Sequence, residues 1–528
     1  MFKLKTDGRI SMDIVQLRLV GIALLLGSLT AVANPGLMRL HRNMDVSRDE
    51  IVSEAEFFGF WQADYQRRDK DKDGVLVAVE VDAAFLKLAD RNQDGVVTWA
   101  EERQLRQRHF QRMDMDLNEE LTVNEMVGAV AGASRSPAQG AALRLAKLPE
   151  SRAAVEALSN LTTAPKMQLA EGYASSGDLS AIYYDALDWK GQPTKVFAWL
   201  GYPKQREGKV PAVVLVHGGG GTAFKQWVQE WNARDYAAIS IAVEGQLDRA
   251  AINNPSQRWQ RHQWPGPERN GIYHDSAQPI RDQWMYHAVA DTILANSLLR
   301  SLPDVDPDRV GLMGISWGGV ITSTVIGLDP RFAFAIPTYG CGDLATAENI
   351  YGKSLRNNET YKQVWDPMLR LQRAAMPTLW FSWPEDAHFP MDRFAASYKQ
   401  AAGTRMVSLV PEMGHGHGPG WVRPESYVFA DSVLSSQGPW CVQTEQSLQG
   451  GLFQATFRSS KNLQDAVLVS TIDTGVSSAR AWVESPAELS KSEAGWVASA
   501  KLPAGTTAWF VNVKSGGLIA SSDYQELQ

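Results

Sequence analysis

Between residues 178 and 438, short apolar runs alternate with segments whose apolar residues recur at helical spacing. The run VPAVVLVHG at 210–218 is apolar almost throughout, as expected of a strand buried on both faces of a sheet. DRVGLMG at 308–314 is another strand candidate, and AFKQWVQEWNARDY at 223–236 has the helical period. Strands that alternate with helices predict a mainly parallel sheet covered on both faces, and therefore an α/β fold for this region.

A serine flanked by glycines stands between one of these strands and the helix that follows it. In GISWGG, 314–319, Gly314 and Gly318 lie two residues before and after Ser316. Between a strand and a helix, this spacing is typical of a nucleophile elbow, a strained turn that lifts the serine hydroxyl above the sheet. The glycines let neighbouring backbone approach the turn. Ser316 is therefore the candidate nucleophile.

A nucleophilic serine needs a base and an acid that orients the base, and later strands should carry both. TLWFSWPEDAHFP, 378–390, offers Glu385 or Asp386 at a strand end, and VPEMGHGHGPGW, 410–421, offers His415 or His417. We favour Asp386, because Asp is the more frequent acid. We favour His415, because it follows its strand more closely.

The glycine-rich loop HGGGGT, 217–222, follows the strand that ends at Val216. Its backbone N–H groups are unobstructed, so Gly219 and Gly220 are predicted to form an oxyanion hole with the amide of Trp317. A phosphate-binding loop is the alternative, but the segment lacks the Lys-Ser/Thr ending of that motif.

The segments HGGGGT, GISWGG, PEDAHFP and MGHGHG together resemble the α/β-hydrolase superfamily. The resemblance is to the branch of acetylxylan esterases, cephalosporin-C deacetylases and dienelactone-hydrolase-like proteins. It implies ester hydrolysis through an acyl-enzyme, without a cofactor for catalysis. Ser316 would be the nucleophile, His415 the general base and then acid, and Asp386 the orienting carboxylate.

A long segment at 257–287, between a strand and the helix that precedes the elbow, is rich in Trp, Tyr and Arg. Its aromatic faces suit sugar rings, and its arginines could contact acidic groups. Alternatively, the aromatic residues only pack the segment onto the core. The predicted substrate-binding residues are Trp259, Trp264 and Tyr273, with Arg258, Arg261 and Arg269 as candidates for acidic groups.

An acidic pattern repeats in the segment 45–130 and resembles the EF-hand superfamily, which implies calcium binding. Loops that start at 69 and 90 have oxygen side chains at positions 1, 3 and 5, Gly at 6 and Glu at 12. A third loop, from 114, has Glu119 in place of Gly, and a weaker copy starts at 45. The loops are so close together that one helix should join each to the next. The predicted ligands are Asp69, Asp71, Asp73, Val75 and Glu80; Asp90, Asn92, Asp94, Val96 and Glu101; and Asp114, Asp116, Asn118 and Glu125, with Val75 and Val96 acting through backbone carbonyls.

The two ends of the chain lie outside these patterns. Residues 1–33 predict a signal peptide, because a short apolar run after basic residues ends in an A-x-A pattern at Ala33. We therefore expect a periplasmic or secreted protein without stable membrane insertion. Residues 131–177 predict a linker with connecting helices, and the short strands and turns of 440–528 predict a small β-sandwich. Cys341 and Cys441 could form a disulfide or remain free thiols.

The predicted architecture is an α/β-hydrolase core, preceded by a helical EF-hand module and followed by a β-sandwich. The net charge of −7 gives no basic field for nucleic acid. We expect a serine esterase acting on a small-molecule or polysaccharide ester, such as an acylated carbohydrate. Two alternatives stay open: a prolyl-oligopeptidase-like serine peptidase, and a non-catalytic calcium-dependent binding protein.

Overall fold

The computed structural model describes residues 35–130, 137–173, 177–205, 207–251 and 258–527. The chain divides into two compact units, Met1–Lys147 and Leu148–Gln528. The expected signal peptide at 1–33 lies outside the described residues. Within the ranges that are described, no helix has the length and apolarity needed to cross a membrane.

In its described residues from 35 to 130, the first unit consists of four similar loops and the helices that flank them. The helices are α1 (Pro35–Met44), α2 (Glu54–Arg68), α3 (Ala83–Ala89), α4 (Trp99–Met113) and α5 (Val123–Val130). Each loop contains a two-residue strand: β1 (Val52–Ser53), β2 (Val75–Leu76), β3 (Val97–Thr98) and β4 (Glu120–Leu121). Strand β2 pairs with β3, and β1 pairs with β4, both antiparallel. A single helix therefore joins each loop to the next, and the first loop pairs with the last.

Buried apolar residues explain why the loops pair in this way. Each short strand contributes one fully buried side chain: Val52, Leu76, Val97 or Leu121. Val52 and Leu121 belong to one hydrophobic core, under the pair β1 and β4. Leu76 and Val97 belong to a second core, under the pair β2 and β3. Helix α6 (Pro137–Glu156) follows and includes the boundary between the two units.

The second unit contains a nine-stranded mixed sheet. The strands from this region are β5 (Met167–Leu169), β6 (Leu179–Asp185), β7 (Lys195–Gly201), β8 (Val210–Val216), β9 (Ala237–Ile241), β10 (Gln246–Ala250), β11 (Trp259–Arg261), β12 (Val305–Ile315), β13 (Phe334–Thr338), β14 (Thr378–Ser382) and β15 (Arg405–Leu409). The sheet order is β15-β14-β13-β12-β8-β9-β7-β6-β5, and β10 and β11 form a separate ribbon. Strands β8, β9 and β12 to β15 run parallel, whereas β5 to β7 are antiparallel. The predicted α/β fold is confirmed for this region, although the sheet begins at β5, within the stretch predicted to be a linker.

Within the described residues, five helices lie between the parallel strands and two more follow β15. They are α7 (Lys225–Asn232), α8 (Trp284–Ser301), α9 (Trp317–Val325), α10 (Ile350–Leu355), α11 (Met391–Gln400), α12 (His417–Val422) and α13 (Pro424–Ser432). Short 3₁₀ turns lie at Ala157–Asn160, Ile280–Asp282, Leu344–Thr346, Pro367–Leu369, Leu371–Arg373 and Ser477–Ala479, and π turns at Tyr361–Trp365 and Val433–Gln437. Helix α8 is buried from Trp284 to Leu299, because its sides are small or apolar almost all round.

The remaining strands form an eight-stranded antiparallel sheet. They are β16 (Cys441–Gln449), β17 (Leu452–Ser459), β18 (Asp465–Thr471), β19 (Val483–Ser492), β20 (Gly495–Lys501), β21 (Ala508–Ser515), β22 (Leu518–Ser521) and β23 (Gln525–Glu526). Strand β19 pairs with β18 through its first half and with β20 through its second half. The ring of Phe453 on β17 lies 5.9 Å from that of Trp509 on β21, several strands away in the order. The sheet therefore folds over on itself at β19.

This second sheet covers the edge strand β15 of the first sheet. The Leu409 amide donates to Ser521 Oγ at 2.7 Å, and Asn512 Nδ2 donates to the Leu409 carbonyl at 2.9 Å. Ser408 Oγ donates to the Ile519 carbonyl at 2.9 Å. Polar contacts thus satisfy an edge that would otherwise expose unpaired backbone groups.

Both cysteines are buried free thiols in the structure. Cys341 lies in the second unit's large core, shortly after β13, and Cys441 begins β16. Of the two possibilities left open by the sequence, the structure therefore has the unpaired one. Burial raises the pKa of the Cys441 thiol to about 12, so it remains protonated at neutral pH.

Candidate functional site

Ser316 occupies a strained turn between β12 and α9. Its φ is 59° and its ψ is −118°, and its amide donates to the Thr338 carbonyl at 2.9 Å. A Cβ on Gly314 would lie 2.0 Å from the Gly318 carbonyl oxygen, and a Cβ on Gly318 would lie 2.0 Å from that of Val216. Only glycine fits at these two positions. The backbone is therefore packed as tightly as an elbow requires.

Three predicted residues meet at this turn in a chain of hydrogen bonds. His415 Nε2 lies 2.9 Å from Ser316 Oγ, and His415 Nδ1 lies 2.8 Å from Asp386 Oδ2. Asp386 is fully buried, whereas the His415 side chain is 20% exposed. The imidazole can take the serine proton on Nε2 while the carboxylate holds the N–H on the other nitrogen.

The loop after β14 fixes the position of the Asp386 carboxylate. Its Oδ1 accepts from the amides of His388 at 2.8 Å and Phe389 at 3.0 Å. Asn349 Nδ2 donates to the Ala387 carbonyl at 3.0 Å and the His388 carbonyl at 2.9 Å, and so holds the loop from outside. No signal in the sequence pointed to Asn349.

Glu385, the other candidate acid, is not part of this chain of hydrogen bonds. Its Oε2 is buried and has no hydrogen-bond partner in the described part of the chain. Burial raises the pKa of this carboxyl. The structure therefore brings Asp386, and not Glu385, to the imidazole of His415.

Aromatic rings surround the His415 imidazole. The ring of Tyr339 lies 4.6 Å away and that of Phe389 lies 6.0 Å away, the latter nearly parallel. Tyr339 Oη donates to the Gly414 carbonyl at 2.7 Å, which anchors the histidine loop. The ring of His388 lies 4.7 Å from that of His415. These neighbours restrict how the base can rotate. Tyr339 directly follows strand β13, a position from which its proximity could have been inferred.

His417, the alternative base, contacts the glycine-rich loop instead of the serine. Its Nε2 lies 2.9 Å from the Gly218 amide and accepts its hydrogen bond. Burial lowers the pKa of His417 to about 4, and the charge of Arg258 adds to the decrease. The ring is therefore neutral at ordinary pH and can act as this acceptor.

His217 holds the same loop from its other side. Its Nε2 accepts from the Val243 amide at 3.1 Å, so its Nδ1 carries the proton and donates to the Gly218 carbonyl at 2.7 Å. Burial lowers the pKa of His217 to about 3, which keeps the ring neutral. The sequence pattern alone did not predict a role for this histidine.

The two histidines leave other amides of the loop available. The Gly218 N–H is already used by His417, and no acceptor for the N–H groups of Gly219 or Gly220 occurs among the described residues. A Cβ on Gly219 would lie 3.1 Å from Trp317 Cδ1, so Gly219 is next to Trp317. The Trp317 amide begins helix α9 and has no intrahelical acceptor. The structure thus brings together Gly219 and Trp317, two of the predicted oxyanion residues.

Of the three predicted substrate-binding aromatic residues, partly exposed Trp259 is the one with a hydrogen bond to this loop. Trp259 Nε1 donates to the Gly220 carbonyl at 2.9 Å. Trp264 packs against Tyr183 of β6, with ring centroids 5.5 Å apart. Tyr273 is only 4% exposed.

The prediction that Tyr273 offers a face to a sugar is corrected by this burial. The centre of its ring lies 5.5 Å from that of Trp317 and 5.1 Å from that of Tyr361. All three rings belong to the core of the second unit, so Tyr273 has no face free for a sugar. Trp264 and Tyr273 therefore fulfil the alternative interpretation, in which the aromatic residues pack the segment onto the core.

The four loops of the first unit share one backbone conformation. Position 6 is left-handed in all of them, with φ of 70° at Glu50, 88° at Gly74, 88° at Gly95 and 67° at Glu119. The amide at this position donates to the aspartate at position 1 in every loop. The missing glycine therefore leaves the fold of the loop unchanged, at a strain of about 1–3 kcal/mol.

The carboxylate oxygens converge in two of these loops. Carboxylate oxygens of Asp69, Asp71 and Asp73 lie within 4.8 Å of one another, as do those of Asp114, Asp116 and Glu125. In the loop between them, Asp90 Oδ1 and Asn92 Oδ1 both accept from the Asp94 amide, at 3.2 Å and 3.0 Å. Val75 begins β2, and Val96 directly precedes β3.

The glutamate at position 12 reaches back across each of these loops. Glu80, Glu101 and Glu125 accept from the amides of Lys70, Arg91 and Met115, at 2.7, 3.2 and 2.8 Å. This places their carboxylates at the loop openings. The backbone N–H of Asn118, at position 5 of the third loop, donates to carboxylate oxygens of both Asp114 and Asp116.

Among the residues described, one buried carboxylate oxygen of these loops lacks a hydrogen-bond partner, as a ligand of a hard cation would. Asp69 Oδ1 is buried and has no hydrogen-bond partner in the described ranges. Burial raises the pKa of Asp114 to about 6, and the charges of Glu125 and Asp116 add to the rise. In contrast, Asp45 Oδ1 in the first loop accepts from Ser47 Oγ and the Arg48 amide. The last three loops therefore offer the oxygen ligands that a hard cation such as calcium takes, whereas in the first loop Ser47 stands at position 3 and donates to Asp45.

Comparison with known proteins supports a hydrolase. The family model of acetyl xylan esterase (AXE1) matches residues 153–381, a range that contains Ser316 and ends before Asp386. This match supports the α/β-hydrolase esterase branch. A search of curated proteins finds no match.

Solved structures with a similar fold include two acetyl xylan esterases. That from Paenibacillus sp. R4 is 22% identical, with a TM-score of 0.40 over 51% of this chain and 90% of that one. Acetyl Xylan Esterase 1 from Thermoanaerobacterium sp. JW/SL YS485 is 20% identical, with a TM-score of 0.39 over 51% and 89%. An acylaminoacyl peptidase from Pyrococcus horikoshii is 18% identical, with a TM-score of 0.33 over 46% and 38%. Similarity at this level does not specify the substrate.

Proposed function

We propose that the second unit is a serine hydrolase that cleaves carboxylic esters through an acyl-enzyme. The observation that carries the proposal is the chain of hydrogen bonds from Asp386 through His415 to Ser316, at a strained turn beside a glycine-rich loop. Nucleophile, base, orienting acid and unobstructed amides are the parts that acyl transfer requires.

In the proposed reaction each residue has its own step. His415 Nε2 accepts the proton of Ser316 as Oγ attacks the ester carbonyl, and Asp386 stabilises the imidazolium that forms. The amides of Gly219 and Trp317 donate to the oxyanion, an interaction that contributes several kcal/mol to transition-state binding. His415 then gives its proton to the leaving alcohol. In the second half, it activates the water that releases the acid from Ser316.

The substrate we propose is an acylated carbohydrate, with acetate as the acyl group. The match of residues 153–381 to the acetyl xylan esterase family favours this class. Trp259 supports it, because it is partly exposed and is bonded to the Gly220 carbonyl beside the oxyanion loop, where a sugar ring could stack.

A panel of three substrates tests the reaction class. We expect hydrolysis of p-nitrophenyl acetate and release of acetate from acetylated xylan, but no cleavage of a proline-containing amide. The measurements are absorbance at neutral pH, released acetate and released amine. Amide cleavage at a rate comparable to that of the esters would contradict the proposal and favour the peptidase.

We also propose that three loops of the first unit bind calcium, in a periplasmic or secreted protein. Asp69, Asp71, Asp73, Val75 and Glu80 would hold one ion, and the equivalent residues of the loops from Asp90 and Asp114 would hold two more. Outside the cytosol, millimolar calcium would keep even weak sites filled, so the ion would serve stability more than signalling.

Substitution at position 1 of the loops tests the calcium proposal. Asp69→Asn should reduce the number of bound calcium ions by one, as counted by isothermal titration calorimetry on the full chain. Asp45→Asn is the matched control at the same position of the first loop, which has Ser47 at position 3, and should leave the number unchanged. Equal losses from both variants would argue against the assignment.

Chelation should separate the two units' responses. At 100 times its dissociation constant, each bound calcium ion should stabilise the first unit by about 2.7 kcal/mol, so chelation should lower the melting temperature of that unit. Ester hydrolysis should stay unchanged, because none of the residues assigned to it lies in a calcium loop. Parallel loss of activity on chelation would contradict this expectation.

A further inference from the structure

Two arginines flank the oxyanion loop. Arg269 Nη2 lies 3.1 Å from the position that a Cβ on Gly219 would occupy, and the guanidinium carbon lies 5.4 Å from the centre of the Trp317 ring. Arg258 Nη1 lies 3.8 Å from the corresponding position on Gly220. The residues that would hold the oxyanion therefore have guanidinium groups on one side.

Arg269 is only partly satisfied by the protein. Its Nη1 donates to the Gly271 carbonyl at 2.7 Å. Its Nε lies 3.5 Å from Glu244 Oε1, and both of these buried atoms lack a hydrogen bond among the described residues. Among the described residues, Arg269 Nη2 also has no hydrogen-bond acceptor. A donor that points towards Gly219 thus remains available.

The acids near Arg269 neutralise it incompletely. Burial raises the pKa of Glu244 to about 7, so this carboxyl is ionised only in part at neutral pH. Glu268 lies 3.5 Å from Arg261. Arg261 itself donates to the carbonyls of Glu244 and Gly266, so its guanidinium is used in holding the segment. Among the described residues that flank the loop, Arg258 and Arg269 are therefore the cations left to meet a ligand.

We propose that Arg269, with Arg258 beside it, binds an anionic group of the substrate next to the scissile ester. The substrate class would be an ester that carries a carboxylate, either on the sugar, as in an acetylated uronic acid, or on the acyl group, as in a hemi-ester of a dicarboxylic acid. This inference rests on the proposed esterase function. Guanidinium suits the role, because its planar donors match a carboxylate.

Paired neutral and anionic esters test the assignment. The sugar pair is acetylated methyl glucuronoside and acetylated methyl glucoside, and the acyl pair is mono-p-nitrophenyl succinate and p-nitrophenyl acetate. We expect wild type to prefer the anionic member of at least one pair, which identifies the half that carries the charge. Arg269→Gln should lower kcat/KM for that ester by about 10- to 100-fold, mainly through KM, and leave the neutral ester within about threefold. Arg269→Lys should restore part of the preference.

The matched control removes one positive charge elsewhere. Arg458 is exposed on β17 of the last sheet, and Arg458→Gln should leave all four rates unchanged. Equal loss on charged and neutral esters in Arg269→Gln, or no preference in wild type, would overturn the inference.

A binding measurement separates this inference from the esterase proposal. On Ser316→Ala protein, methyl glucuronoside and succinate should bind more tightly than methyl glucoside and acetamide, respectively, in at least one pair. The added substitution Arg269→Gln should remove that difference. If esters are not hydrolysed but the difference is seen, the esterase proposal fails alone. If hydrolysis is seen and the difference is absent, the anion site fails alone.

Discussion

Replacing Ser316 with alanine should lower kcat/KM for p-nitrophenyl acetate by about 10⁴- to 10⁶-fold, with the melting temperature retained. The hydroxyl is the atom that would form the acyl-enzyme, and its hydrogen bond is to His415. The residual rate would come from the amides of the oxyanion loop, which alanine leaves in place.

A second serine on the same helix provides the control. Ser323 is buried on α9, and its Oγ donates to the Gly340 carbonyl at 3.3 Å. Ser323→Ala should cost about 1 kcal/mol of stability but keep ester hydrolysis close to wild type. Ester hydrolysis that survived in Ser316→Ala would contradict the assignment of the nucleophile.

Alanine at His415 should lower kcat by about 10⁴- to 10⁶-fold, as removal of a triad histidine does in other serine hydrolases. The pair of histidines makes the test sharp, because they are two residues apart and only His415 reaches both Ser316 and Asp386. Steady-state kinetics on p-nitrophenyl acetate measures the effect.

His417→Ala should have a smaller effect of about 10- to 100-fold, because it leaves the Gly218 amide without its acceptor and loosens the oxyanion loop. Circular dichroism should show both variants folded. If His417→Ala caused the larger loss, the roles of the two histidines would have to be exchanged.

The α/β architecture and the meeting of Ser316, Asp386 and His415 could be anticipated from local sequence. Continuous apolar strands fix the parallel sheet, and parallel strands place their carboxyl ends along one edge. Residues in the loops that follow β12, β14 and β15 are therefore neighbours, even though about 100 residues of sequence separate the first from the last.

Features that depend on distant packing could not be anticipated. The pairing of β1 with β4 joins the first acidic loop to the last. It depends on Val52 and Leu121, which are far apart in sequence and are buried in the same hydrophobic core. Tyr273 looks like an exposed aromatic residue by composition, but Trp317 and Tyr361 enclose it. The support of the oxyanion loop by His417 depends on a contact across 199 residues.

The most direct test of the account is covalent trapping of the nucleophile with a fluorophosphonate, followed by intact-mass measurement and peptide mapping. We predict one adduct per chain, on Ser316, with no adduct in Ser316→Ala and much slower labelling in His415→Ala. An adduct on another residue, or continued ester hydrolysis by a fully labelled protein, would contradict the proposal that Ser316 is the acyl-enzyme nucleophile.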